Sequence, residues 1–499
     1  MLSSLCDFIE KAMYSFVFQM VLIIFASQNI SKIGMRKYLS LAFIMMITSL
    51  QIAAKGYESH KISYPGGKCF MFRIILTDKQ GTPFSILHPE EFLSPRAIAR
   101  RQRQHIAIDS TDLPVSPGYI QTLKNNRLEV VGKSKWNNSV LVRCTKVSQI
   151  DCLKGLPFIR DIRHVFSSPD SIEPSQRVNF KKDFNRWDTV SHNPYGMAEE
   201  QIKAMNGIQM HRAGYTGKDK VIAVLDAGFM NVDRIPIFHN IKLAGLADFV
   251  VPRSTDIFAE LDHGTMVLST MAANQADTYR GTAPDASYML IRCEDQYTES
   301  LAEEDYWAEA VEYADSAGVD IINSSLGFHE FDDRTTSHTY QELDGQQTLI
   351  SHTASMLAGK GIVLVNSAGN DGMGTWKKIN FPADATDILT VGSISPNGLN
   401  AAFSAVGPTA DGRIKPDVMA YGSPTTVISG RGTIINDMGT SFSAPLISGM
   451  VACLWQALPD KTALEIIDLV RKSGNNFVHP DTIMGYGLPD FWKAFQSGK

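Results

Sequence analysis

Cysteine is scarce. The chain has 499 residues and six cysteines, Cys6, Cys69, Cys144, Cys152, Cys293 and Cys453, a density that excludes a disulfide scaffold. No Cys-x-x-C occurs, so zinc-ribbon and thioredoxin-type chemistry have no support. Cys144 and Cys152 lie close enough in sequence to pair, but buried or incidental thiols are the preferred reading. A basic excess is also missing. The 47 Lys and Arg residues are outnumbered by 52 Asp and Glu, giving a formal net charge of -5, so no nucleic-acid partner is expected. Long apolar runs are lacking too. The two at the amino terminus, residues 13–26 and 38–50, fall short of the roughly 20 that cross a bilayer. What is present is ordinary globular composition, 44% hydrophobic and 20% charged, which excludes a disordered chain, a coiled coil and a collagen-like rod.

The second amino-terminal run has the flanks of a secretory signal peptide. Met35-Arg36-Lys37 gives a basic start, and Gln51-Ile52-Ala53-Ala54 closes the apolar core on small residues. Residues 1–54 are therefore read as an N-terminal extension and signal peptide, with translation starting at Met35. The product is expected to be exported, to a periplasmic, cell-surface or secreted location. A two-helix membrane anchor is the competing reading.

Residues 55–166 read as a small α+β unit. Strands are expected at 70–76, 128–131, 139–143 and 159–165 from their β-branched and aromatic content, and a helix at 147–156. Ser94-Pro95-Arg96 opens another helix in the N-cap, N1-proline manner. Its continuation carries Arg96, Arg100, Arg101 and Arg103, and such a charge run is expected to be a solvated face. Residues 167–193, rich in Ser, Asn, Arg and Asp with little periodicity, form a linker. From 194 to 499 the pattern changes. Apolar runs at 221–225, 287–291, 319–322, 362–365 and 388–391 alternate with helical stretches. Near-continuous apolar strands mean burial on both faces, hence a mostly parallel sheet between helices, an α/β three-layer fold.

Three motifs sit at the ends of these elements. Strand 221–225 delivers Asp226-Ala227-Gly228, His263-Gly264-Thr265 opens a helix, and Gly439-Thr440-Ser441 opens another. In open α/β sheets ligands bind beyond the carboxyl ends of the strands. Each motif alone is weak, since Asp after a strand is commonly a turn former. Together, in that chain order, they have the makings of a Ser-His-Asp triad. Asn370, in Asn366-Ser367-Ala368-Gly369-Asn370, adds a side-chain amide at another strand end, suited to stabilising an oxyanion.

With these residues in view, the 195–495 region resembles the subtilisin-like serine endopeptidases, or subtilases, of the exported bacterial type. The resemblance also draws on Gly439-Thr440-Ser441-Phe442-Ser443-Ala444-Pro445, Gly407-Pro408 and Lys415-Pro416-Asp417. It implies a subtilisin-like fold with Asp226, His263 and Ser441 as catalytic residues and Asn370 in the oxyanion site. It implies that Ser325, Leu326 and Gly327 bind substrate. It makes the 55–166 unit a propeptide, both folding assistant and intramolecular inhibitor, with cleavage in the linker and a mature enzyme starting near residue 190. Protein or peptide substrates and a monomer are expected. No cofactor is required for catalysis, no metal ligand is identified, and structural calcium is admitted by the resemblance alone. Two features depart from the family. Ala227 stands where Ser or Thr is common, removing a hydroxyl that could bond the Asp226 carboxylate. The 328–361 segment is longer than in compact members, with no role readable. A catalytically inactive subtilase fold used for binding is the alternative. An acid-acting relative with a Glu/Asp pair is disfavoured by His263-Gly264-Thr265.

Overall fold

Half of the basic run at 96–103 does not face water: Arg100 and Arg101 are buried, while Arg96 and Arg103 stay exposed. In the computed structural model, which describes residues 61–173 and 193–499, the two buried arginines lie between two parts of the chain. The signal peptide, the Met35 start and the cleavage position near residue 190 lie outside the described residues. The amino-terminal unit is a four-stranded antiparallel sheet built from β1 (Phe70–Leu76), β2 (Glu129–Ser134), β3 (Ser139–Cys144) and β4 (Ile159–Ser167), in the order β2-β3-β1-β4. Helix α1 (Pro95–Arg103) starts as expected, with the Ser94 hydroxyl accepting from the Ala97 N–H at 3.1 Å. Alternation along β1 divides its side chains. Phe72, Ile74 and Leu76 fill the unit's own core, while Met71 joins a core shared with the larger domain.

The larger domain is organised by a seven-stranded sheet. Its strands are β5 (Val221–Asp226), β6 (Lys242–Asp248), β7 (Ser287–Arg292), β8 (Ile321–Ser324), β9 (Val363–Ser367), β10 (Leu389–Ile394) and β11 (Val418–Tyr421). Their order is β11-β10-β9-β8-β5-β7-β6, and every neighbouring pair is parallel. Ile222 and Val224 of β5 point to one face, packed with Met450 and Leu454, and Ala223 and Leu225 to the other, packed with Trp307 and Val311. That double burial explains the unbroken apolar runs. Sequence pattern did not give β6 or β11. β6 lies at the sheet edge and is half exposed, so its Leu and Ala residues are interrupted by Gly and charge.

Helix α2 (His263–Ala272) packs on the first face of the sheet. On the second face, helix α3 (Ala302–Ala317) joins the two units. Arg73 donates to Asp305 through two nitrogens, both at 2.8 Å, and reaches Glu304 at 3.4 Å. Asp315 gathers Arg100, Arg101 and Lys135 at 2.5, 2.9 and 3.3 Å. The Ser134 hydroxyl and the N–H groups of Lys135 and Trp136 all donate to Glu312. Arg100 and Arg101 are each 1% exposed. Unpaired charges could not be held there, because a buried ion without a partner is strongly destabilising. The expected solvated face is therefore corrected for Arg100 and Arg101, which answer Asp315 more than 200 residues away, Arg101 also pairing with Asp112.

Other expectations shift less. Residues Val147–Leu153 form a tight 3-10 turn rather than a longer helix. The five cysteines of the described residues are free thiols, four of them buried, and Cys144 and Cys152 are unpaired. The 328–361 segment holds the helix Leu349–Met356, whose Thr353 accepts from the Asn137 amide at 2.8 Å, so it braces the amino-terminal unit. No helix of the described residues is long and apolar enough to cross a membrane.

Candidate active site

β5 occupies an interior position in the sheet and ends on Asp226, which is fully buried. A buried carboxylate must be satisfied by donors. The Ala227 N–H donates to its Oδ1 at 2.9 Å, and His263 Nδ1 lies 2.9 and 3.0 Å from its two oxygens.

His263 is the first residue of α2, and the reason for the glycine after it is steric. A Cβ on Gly264 would sit 2.3 Å from the Gly228 carbonyl oxygen and 2.9 Å from the Asp226 Cβ. The helix start is pressed against the Asp-x-Gly turn, which is what brings imidazole and carboxylate together. Gly264→Ala is expected to force the two apart and lower kcat/KM by on the order of 100-fold, because misplacement by about 1 Å costs that much. Steady-state kinetics on a folded variant checks it.

Ser441 lies in the first turn of α4 (Thr440–Ala457) and is 8% exposed. Its hydroxyl donates to the Ser325 carbonyl at 3.3 Å, and the Ser325 hydroxyl donates back to the Ser441 carbonyl at 2.8 Å. The Asn323 amide donates to the Ser325 hydroxyl and accepts from the Ser448 hydroxyl, tying α4 to β8. The hydroxyl therefore points to Ser325 rather than to His263. Both side chains nevertheless line one open cleft of about 390 Å³, and the ring of the adjacent Phe442 is 5.7 Å from the imidazole.

Asn370 lines the same cleft just beyond β9. Its side-chain oxygen accepts from the Thr440 N–H and the Thr440 hydroxyl, both at 3.0 Å, which leaves its NH₂ as the end able to donate into the cleft. Ser325, Leu326 and Gly327 form one wall, fixed by the Asn366 amide on the Leu326 carbonyl at 3.2 Å. Asp262 is occupied structurally, accepting from the Gly430 N–H at 3.0 Å. Glu294 is a cleft residue that sequence reading missed. Its position just past the carboxyl end of β7 was the available signal. Among the described residues no group of three or more His, Cys, Asp or Glu side chains is placed to hold a metal ion.

The sequence matches the family described as "Subtilase family" over residues 217–487, more than half of the chain. The chain belongs to the subtilase family. Residues 71–182 match the "Peptidase S8 propeptide domain, Bacteroidota", so this subtilase carries an amino-terminal propeptide domain, the unit gripped by α3. It is 26% identical over 404 residues to Subtilisin E of Bacillus subtilis (strain 168), covering 76% of this chain and 96% of that protein. It is 29% identical over 298 residues to the human membrane-bound transcription factor site-1 protease, covering 57% of this chain and 26% of that protein. A solved structure of MycP3 protease from the type VII (ESX-3) secretion system aligns at 22% identity with a TM-score of 0.49, covering 60% of this chain and 88% of the other.

Proposed function

We propose that this subtilase is an exported serine endopeptidase, made as a self-processing precursor and working through Asp226, His263 and Ser441. The observation that carries the reading is the 2.9 Å Asp226–His263 pair facing the cleft that Ser441 lines. In the proposed cycle the Ser441 hydroxyl swings from the Ser325 carbonyl to His263 Nε2. Its oxygen attacks the scissile carbonyl carbon as its proton passes to the imidazole, while Asp226 stabilises the imidazolium. The oxyanion is held by the Asn370 amide and the Ser441 N–H. The carbon–nitrogen bond breaks, the imidazolium proton goes to the leaving amine, and water then hydrolyses the acyl ester by the same route. The reading gives no metal a role in these steps. Ser325, Leu326 and Gly327 flank the substrate backbone. Cleavage in the 167–193 linker would free a mature enzyme from its propeptide inhibitor.

A fluorophosphonate probe tests the reading. Stoichiometric labelling of Ser441 in the mature protein is expected. An unlabelled serine would favour the inactive, binding form of the fold instead.

A pH profile is a second check. Burial pushes the His263 imidazole down, but the Asp226 carboxylate, with Glu294 and Asp262 adding to it, raises it to about 9. Only the neutral imidazole can take the serine proton, so activity is lost below the pKa and gained above it. kcat/KM is expected to rise from pH 7 through about 9, and an acid optimum would contradict the assignment.

A further inference from the structure

One wall of the cleft has no part in the proposed proton transfers. Glu294 lines it beside His263 and Ser441. The cations around it are already engaged. Arg292 holds Asp248 at 3.1 and 3.2 Å and the Ala227 carbonyl at 3.3 Å, and the His263 Nδ1 faces Asp226. Burial, with Asp226 nearby, pushes the Glu294 carboxyl up to about 7. The acidity continues along the cleft. A neighbouring cavity of about 600 Å³ shares Gly327, Asp371 and Asn380 with it and is lined by Glu299, Glu330 and Asp332. Arg334 also lines that cavity, paired with Glu330 at 3.0 Å.

We propose that Glu294 is a specificity-determining residue that receives a substrate Lys or Arg side chain close to the scissile bond. The proposal rests on the peptidase reading of the same cleft and names its substrate class. A half-buried carboxylate whose neighbouring cations, His263 and Arg292, are already bonded to Asp226 and Asp248 is poorly compensated, and an arriving ammonium or guanidinium adds a charge-assisted hydrogen bond. A neutral substrate side chain leaves the carboxylate unpaired, and an acidic one adds repulsion, so discrimination comes from both attraction and rejection. The chain's own linker fits the same class, carrying Arg177, Lys181, Lys182 and Arg186.

The test is a fluorogenic peptide library, cleaved by the mature wild-type enzyme, with one residue at a time varied among Lys, Arg, Leu, Gln and Glu. At one position Lys and Arg are expected to exceed Leu by about tenfold or more in kcat/KM, with Glu poorest, the range a charged hydrogen bond supports. Glu294→Gln is expected to collapse the Lys-to-Leu ratio to within about twofold, and Glu294→Asp to restore part of it. Equal cleavage of Lys and Leu peptides by the wild type at every position overturns the proposal, without reliance on any variant folding. So does a Lys preference that survives in Glu294→Gln. Fluorophosphonate labelling of the wild type separates the failures: labelling without basic preference defeats this inference alone, and no labelling defeats the peptidase reading beneath it.

Discussion

Ser441→Ala will leave the precursor uncut and abolish peptide hydrolysis, with kcat falling by on the order of 10⁶-fold. The size follows from the chemistry. Without the hydroxyl no acyl-enzyme forms, and what remains is the oxyanion donors and substrate positioning, worth about 10³- to 10⁴-fold over water. His263→Ala should cost about as much, because the two groups act as a unit, and the double variant little more than either. The intact precursor, seen by gel and by intact mass, is the direct readout. Normal processing of Ser441→Ala would assign maturation to another protease, and full peptidase activity would remove Ser441 from the mechanism.

The uncut variant also supplies the background for the second large effect. Asp315→Ala leaves Arg100, Arg101 and Lys135 facing one another with their shared carboxylate gone. Removing one partner of a buried ionic cluster costs about 3–5 kcal/mol. Denaturant unfolding of the Ser441→Ala precursor with and without Asp315→Ala should show a loss of that order. The pH dependence has a definite sign. Burial alone would raise the Asp315 carboxyl, but the three cations hold it down at about 2, below the ordinary carboxylate range. A depressed acid stabilises above its unfolded pKa and ceases to as the pH falls through the folded one. The gap between parent and variant should therefore be full above about pH 4 and close as the pH falls toward 2. A gap that is small at neutral pH would mean the cluster is not the anchor it looks like.

The elements that could be read in advance share one property: their physical cause is local. The β5 run is apolar because both its faces are buried, and that is visible in five consecutive residues. The Ser94-Pro95 helix start likewise states its reason within a few positions. Asp226, His263, Ser441 and Asn370 could be picked out because each sits at the end of such an element; His263, Ser441 and Asn370 line one cleft, with Asp226 buried behind His263. What escaped depends on distant partners. Arginines on one face of α1 look alike whether they meet water or Asp315, and nothing near residue 100 announces a carboxylate 215 positions later. Glu294 has the same character: beside a strand it is one more acid, and only the fold sets it against the imidazole. The orientation of the Ser441 hydroxyl is a rotamer choice, to which sequence pattern is blind.

Helix α3 has an uneven arrangement of charge. Glu303, Glu304 and Asp305 sit in its first turn, where the exposed N–H ends of the backbone carry partial positive charge and welcome them. Glu309, Glu312 and Asp315 follow at three-residue steps toward the other end, where the partial charge is negative, and no basic side chain occupies the last turn. Alone, that half of the helix is electrostatically frustrated. The missing cations and N–H donors come from the propeptide, through Arg100, Arg101 and the 134–136 turn. The propeptide domain thus completes the macrodipole of a helix that belongs to the subtilase domain. Under the processing proposed above, release of the propeptide would leave this half of the helix without those cations and donors, so the precursor would hold α3 more firmly than the mature enzyme.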